Sequence, residues 1–93
     1  MSNFICAIHI DTEYKGISID VLESKSILDM YDAIYKHIKN ILDIHEPLLC
    51  CLSSEGAKKD LESWIQRVCN TQTFCNISYK IQFTEEGFIC KEN

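Results

Sequence analysis

The hydrophobic period of this chain switches from strand spacing to helical spacing and back again, which commits it to a mixture of strands and helices. At the start, Phe4, Cys6, Ile8 and Ile10 alternate with more variable residues. A turn at Thr12–Gly16 follows, and Gly16 can take the left-handed position of a bulged hairpin. The returning strand, residues 17–22, is expected to turn Ile17, Ile19 and Val21 inward and Ser18 and Asp20 outward. The period then lengthens: Ile27, Met30, Tyr31, Ile34, Ile38, Ile41 and Leu42 make a stripe at helical spacing, predicting a helix over 26–44. Ser26 and Asp29 form a variant capping box, Asp32 and Lys36 sit in the favourable i,i+4 order, and Pro47 stops the helix.

The apolar run Leu48–Leu52 suits a strand covered on both faces. Residues 57–69 predict a second helix, with Ala57, Leu61, Trp64, Ile65 and Val68 inward. Cys75–Phe83 then alternates cleanly, with Cys75, Ile77, Tyr79, Ile81 and Phe83 on one side and Asn76, Ser78, Lys80 and Gln82 on the other. After a glycine turn at Thr84–Gly87, Phe88–Cys90 makes a last short strand. The order β-β-α-β-α-β-β, with right-handed crossovers, predicts an α+β two-layer sandwich with a mixed sheet of about five strands and both helices on one face. With 93 residues there is room for one domain, 1–93.

Acidic residues outnumber basic ones 14 to 9, and only Arg67 is an arginine, so binding to nucleic acid by bulk positive charge is excluded. The N-terminus lacks a basic segment before its short apolar stretch, which argues against a signal peptide, and no run approaches the length of a membrane span. A cytoplasmic location follows as the expectation, with Cys6, Cys50, Cys51, Cys69, Cys75 and Cys90 as reduced thiols. The abundance of Ile and Lys and the scarcity of Ala, Gly and Pro fit an AT-rich coding sequence, as in some bacteria, their phages and large DNA viruses.

Chemistry-bearing motifs are sparse. Gly16, Gly56 and Gly87 are isolated, no C-x-x-C exists, and Cys6 and His9 lie on opposite faces of one strand, so no cofactor, metal site or cysteine nucleophile is expected. Trp64 falls on the apolar stripe of its helix, and His37 and His45 read as surface or satisfied side chains. In Ile8-His9-Ile10-Asp11-Thr12-Glu13, however, a strand runs into Asp-x-Glu. Over these six residues the chain resembles the first metal motif of DEDD exonucleases and, more loosely, the strand-borne Asp of RNase H-like folds. That resemblance implies a small metal-dependent nuclease using Asp11 and Glu13, with Asp29, Asp32 or Glu55 placed to add ligands.

The main functional expectation comes from the sheet face opposite the helices. Ile5, Ala7 and His9 of the first strand, either Leu49 and Cys51 or their neighbours of the third, and Ile89 of the last would form an apolar patch. Asp11, Glu13, Asp20, Asp43 and Glu46 would rim it with negative charge. This predicts a non-enzymatic module that binds a protein, one with a basic nucleic-acid-binding surface, or that pairs with a second copy of itself as a homodimer. Direct nucleic-acid or membrane contact is not expected. In size and charge the chain is similar in type to phage or mobile-element inhibitors of host defence, anti-CRISPR proteins among them, and to immunity proteins and antitoxins.

Overall fold

The computed structural model describes residues 3–44, 54–71 and 74–83. They form an α+β fold with two helices and a three-stranded antiparallel sheet. Strand β1 (Phe4–Thr12) lies in the middle, with β2 (Gly16–Ser24) on one side and β3 (Cys75–Phe83) on the other. Helices α1 (Ile27–Leu42) and α2 (Ser54–Thr71) separate β2 from β3 in the chain. The expected strands at Leu48–Leu52 and Phe88–Cys90, with Cys50, Cys51, His45, Glu46 and Ile89, lie outside the described residues. The mixed character expected of the sheet rested on those strands; the described sheet is antiparallel throughout.

The hairpin closes where Thr12 pairs with Gly16, leaving Glu13, Tyr14 and Lys15 as the loop. Gly16 has φ +83°, the left-handed conformation that favours glycine. Thr12 is buried, and its Oγ1 accepts a 2.8 Å hydrogen bond from the Lys15 amide. The Glu13 amide donates to the Phe74 carbonyl, tying the turn to the approach of β3.

Helix α1 starts as its sequence suggests: the Asp29 amide donates to Ser26 Oγ at the N-cap. It ends at Asp43, whose αL backbone caps the helix by donating to the Lys39 carbonyl. Asp32 and Lys36 form the expected ion pair at 3.0 Å. Helix α2 begins three residues earlier than its apolar stripe implies, running through Gly56 in spite of the entropic cost of glycine in a helix, about 1 kcal/mol.

The core joins Cys6, Ile8 and Ile10 of β1 to Met30, Tyr31, Ile34, Tyr35 and Ile38 of α1 and to Leu61, Trp64, Ile65 and Val68 of α2. Trp64 is 0% exposed and meets the ring of Tyr35 edge to face at 4.8 Å. Ile77, Tyr79 and Ile81 of β3 pack against this cluster, in the orientation their alternation predicts. Phe83 at the strand end is exposed and touches Phe4 edge-on.

Strand β2 reverses its expected orientation. Ile17, Ile19 and Val21 are 67, 71 and 63% exposed, whereas Leu22 packs against the core. The pairing Asp11↔Ile17, His9↔Ile19 and Ala7↔Val21 puts these three on the side of β1 away from the helices. Ser18 and Asp20 fall on the helix side, opposite Ile10 and Ile8. The Ser18 hydroxyl donates to Asp20 Oδ2 at 3.2 Å, and His37 Nε2 of α1 lies 3.2 Å from the same oxygen, an ion-pair contact when the imidazole is protonated.

The reversal follows from the other two strands. Register puts Cys6, Ile8 and Ile10 beside Ile81, Tyr79 and Ile77, so β1 and β3 agree on which face is apolar. Turning the sheet over to suit β2 would carry Asn76, Ser78, Lys80 and Gln82 into the core. An unpaired buried lysine and three polar groups cost more than leaving three β-branched side chains wet.

Candidate functional site

The open face of the sheet is assembled by register. Across its middle, Ile19, His9 and Ser78 stand in one row; Val21, Ala7 and Lys80 in the next; Ile17, Asp11 and Asn76 in the third; and Glu23, Ile5 and Gln82 in the fourth. The β2 half is apolar and the β3 half is polar. No described helix residue lies over it, since the buried residues of both helices share the cluster on the opposite side.

Of the sequence candidates, Ala7 and His9 are exposed on this face, and Ile5 and Asp11 are half-buried there. Glu13 is exposed in the hairpin loop, beyond the face. Ile89 lies outside the described residues. The acidic rim is smaller than expected: Asp20 points to the helix side, Asp43 caps α1, and Glu46 is not among the described residues. Among the described residues, Asp11 and Glu23 are the carboxylates on the face itself. Sequence reasoning missed its largest apolar contributors, Ile17, Ile19 and Val21. The signal was in the hairpin: a loop closing at Thr12–Gly16 pairs Asp11 with Ile17, which sets β2's isoleucines beside the wet residues of β1.

A shallow depression of about 310 Å³ crosses the face, lined by Ala7, His9, Ile19, Ser78 and Lys80. It brings one imidazole, one hydroxyl and one ammonium beside apolar groups. A wider groove of about 700 Å³ opens on the helix side, between Phe4, Ile27, Tyr31, Glu62, Tyr79 and Phe83. There burial, aided by the negative charge of Glu62, pushes the Tyr79 hydroxyl up to about 12, and its oxygen is buried without a hydrogen bond of good geometry. A phenol held protonated is a poor base at neutral pH.

Two of the described thiols, Cys6 and Cys75, are likewise quiet. Cys6, Cys69 and Cys75 are free. Burial raises Cys6; burial and then the neighbouring Cys69, 3.8 Å away sulfur to sulfur, push Cys75 up to about 12. Thiols so held are weak nucleophiles.

Among the described residues no group of three or more His, Cys, Asp and Glu side chains converges on a point where a metal ion would sit. Asp11 is on the open face and Glu13 in the loop, while Asp29 and Asp32 are on α1 and Glu55 on α2. The helices lie on the other side of the sheet from Asp11, so the carboxylates that a nuclease centre would recruit are not gathered. No helix among the described residues is long and apolar enough to cross a membrane.

Comparison of the chain with protein-family models, with curated proteins and with solved structures finds no match in any of the three. The functional reading therefore stands on the geometry of the open face.

Proposed function

We propose that this chain is a small acidic, non-enzymatic protein-binding module that acts by occupying a partner's surface. One observation carries the reading. Ile17, Ile19 and Val21 stand exposed in a row, continued by Ala7 and Ile5 on the neighbouring strand. A contiguous apolar patch on a flat sheet face is costly to leave in water and marks an interaction surface. Burying it contributes about 25 cal/mol per Å² before association costs. The net charge of -5 and the carboxylates of Asp11 and Glu23 at the patch favour a partner with a basic surface, such as a nucleic-acid-binding groove. This is the profile of an inhibitor of the phage or mobile-element anti-defence type, or of an immunity protein or antitoxin. A cytoplasmic setting belongs to the same proposal.

The test uses tagged wild-type protein beside Ala7→Asp and Gln82→Asp in the cell where the chain is expressed. A specific partner captured by wild type and by Gln82→Asp but lost with Ala7→Asp supports docking on the apolar half. Its association rate should also fall as salt rises from low to physiological. A partner that survives Ala7→Asp overturns the reading. Magnesium-dependent cleavage of DNA or RNA, lost in Asp11→Asn, would put the nuclease in its place.

A further inference from the structure

The two outer strands of the described sheet guard their edges differently. Strand β3 carries Lys80 in the middle of its open side, the kind of charge that discourages another strand from adding to an edge. Strand β2 has no proline, no lysine and no bulge, and its two charges, Asp20 on the helix side and Glu23 near its end, leave the middle of its open side apolar; its nine residues pair one for one with β1. On the open side that edge presents Ile17, Ile19 and Val21, all β-branched and all exposed. A strand of this kind is a template for another strand.

We infer that the occupant of this edge is β2 of a second copy of this chain, paired antiparallel about a two-fold axis through Ile19. The register is selected by charge. An axis perpendicular to the sheet keeps each side chain on its own face, so residues of equal parity pair. Centring on Asp20 would oppose Asp20 to its own copy, and centring on Ser18 would oppose Glu23 to Glu13, both like-charge pairs; centring on Val21 would set Ile19 against Glu23 and Ile17 against Lys25, an apolar group against a charge each time. Centring on Ile19 opposes Ile17 to Val21, Ile19 to itself, Ser18 to Asp20 and, at both ends, Lys15 to Glu23. The Ile17–Val21, Ser18–Asp20 and Lys15–Glu23 pairs then each occur twice, and Ile19 meets its own copy once on the axis, as an isologous interface requires. The product is a continuous six-stranded sheet in which the two apolar stripes merge across the axis. The inference does not depend on docking of a foreign protein; it doubles the surface available to one.

Light scattering and sedimentation across a wide concentration range test it. Wild type should dimerise. Ile19→Lys sets two ammonium groups against each other on the axis and should abolish the dimer, with an unchanged circular dichroism spectrum because the position is exposed. Lys15→Glu and Glu23→Lys, each alone, turn two attractive pairs into two repulsive ones and should weaken the dimer about tenfold. The double reversal should restore it. Ala7→Asp, on the central strand, should leave the dimer intact, which separates this result from loss of a foreign partner. A wild type that stays monomeric at every concentration overturns the inference, as does a dimer indifferent to Ile19→Lys and to both charge reversals. Slow exchange in a monomer of the outward-pointing β2 amides, those not bonded to β1, would mean that the edge is covered from within the chain, and would overturn it too.

Discussion

Strands β2 and β3 are each nine residues long, flank the same central strand, alternate apolar with polar, and face opposite ways. In β3 the apolar row lies under the helices and Lys80 stands outside. In β2 the apolar row stands outside, and Ser18 and Asp20 sit beneath α1 beside His37. Alternation thus shows that a strand has two unlike faces, but which face is buried is decided by the neighbours to which it is registered. Cys6, Ile8 and Ile10 of β1 and the apolar row of β3 agree, and β2 yields to them.

The largest expected effect contrasts one substitution at two places. Ile77→Asp puts a carboxylate beneath the helices and should cost about 2–4 kcal/mol, while Ile19→Asp should cost about 1 kcal/mol or less, read from urea midpoints at concentrations low enough for the chain to be monomeric. Equal losses would mean that Ile19 is internal and that the two strands do not differ. A smaller effect comes from alkaline pH. Tyr79 titrates at about 12 in the fold against an ordinary 10.0, so above pH 10 the unfolded chain loses this proton first and unfolding is favoured. Stability should fall as pH rises from 10 toward 12, and Tyr79→Phe should make that fall shallower, leaving the part due to the raised Cys6 and Cys75 thiols. An unchanged slope in Tyr79→Phe would place the hydroxyl in water. The smallest effect belongs to Asp20→Asn. The contact with His37 involves a half-exposed carboxylate, worth less than about 1 kcal/mol. A loss of several kcal/mol would show that Asp20 itself, rather than β1 and β3, sets the orientation of β2.

The elements that were legible in the sequence carried redundant signals. Helix α1 had a cap, a stripe and a stop, and β3 had nine residues of unbroken alternation that an adjacent core accepts. Helix α2 was read short because Gly56 looks like punctuation, yet the turns that follow it gain enough from Leu61 and Trp64 to carry the helix back to Ser54. Tyr35, outside the expected stripe, lies one turn beyond Tyr31 and packs on Trp64. The open face was half legible. Its β1 members, Ala7 and His9, follow from β1 alone, but Ile17, Ile19 and Val21 become visible only when the hairpin register is applied together with β3. That information is non-local, because Ile10 pairs with Ile77 across most of the chain.

This same arrangement places the first strand of the described chain between its neighbour and its last strand. During synthesis β1 can fold back onto β2 within moments of leaving the ribosome, but its other edge has no partner until Phe83 has been made. At about 5–20 residues per second that interval lasts several seconds. Until α1 and then α2 emerge to cover them, Cys6, Ile8 and Ile10 sit on a two-stranded ribbon too small to be stable alone. The nascent chain is therefore most exposed to chaperones and to misassociation before β3 emerges. Its rate of productive folding is governed by closure of the longest loop in the sheet rather than by the hairpin that forms first.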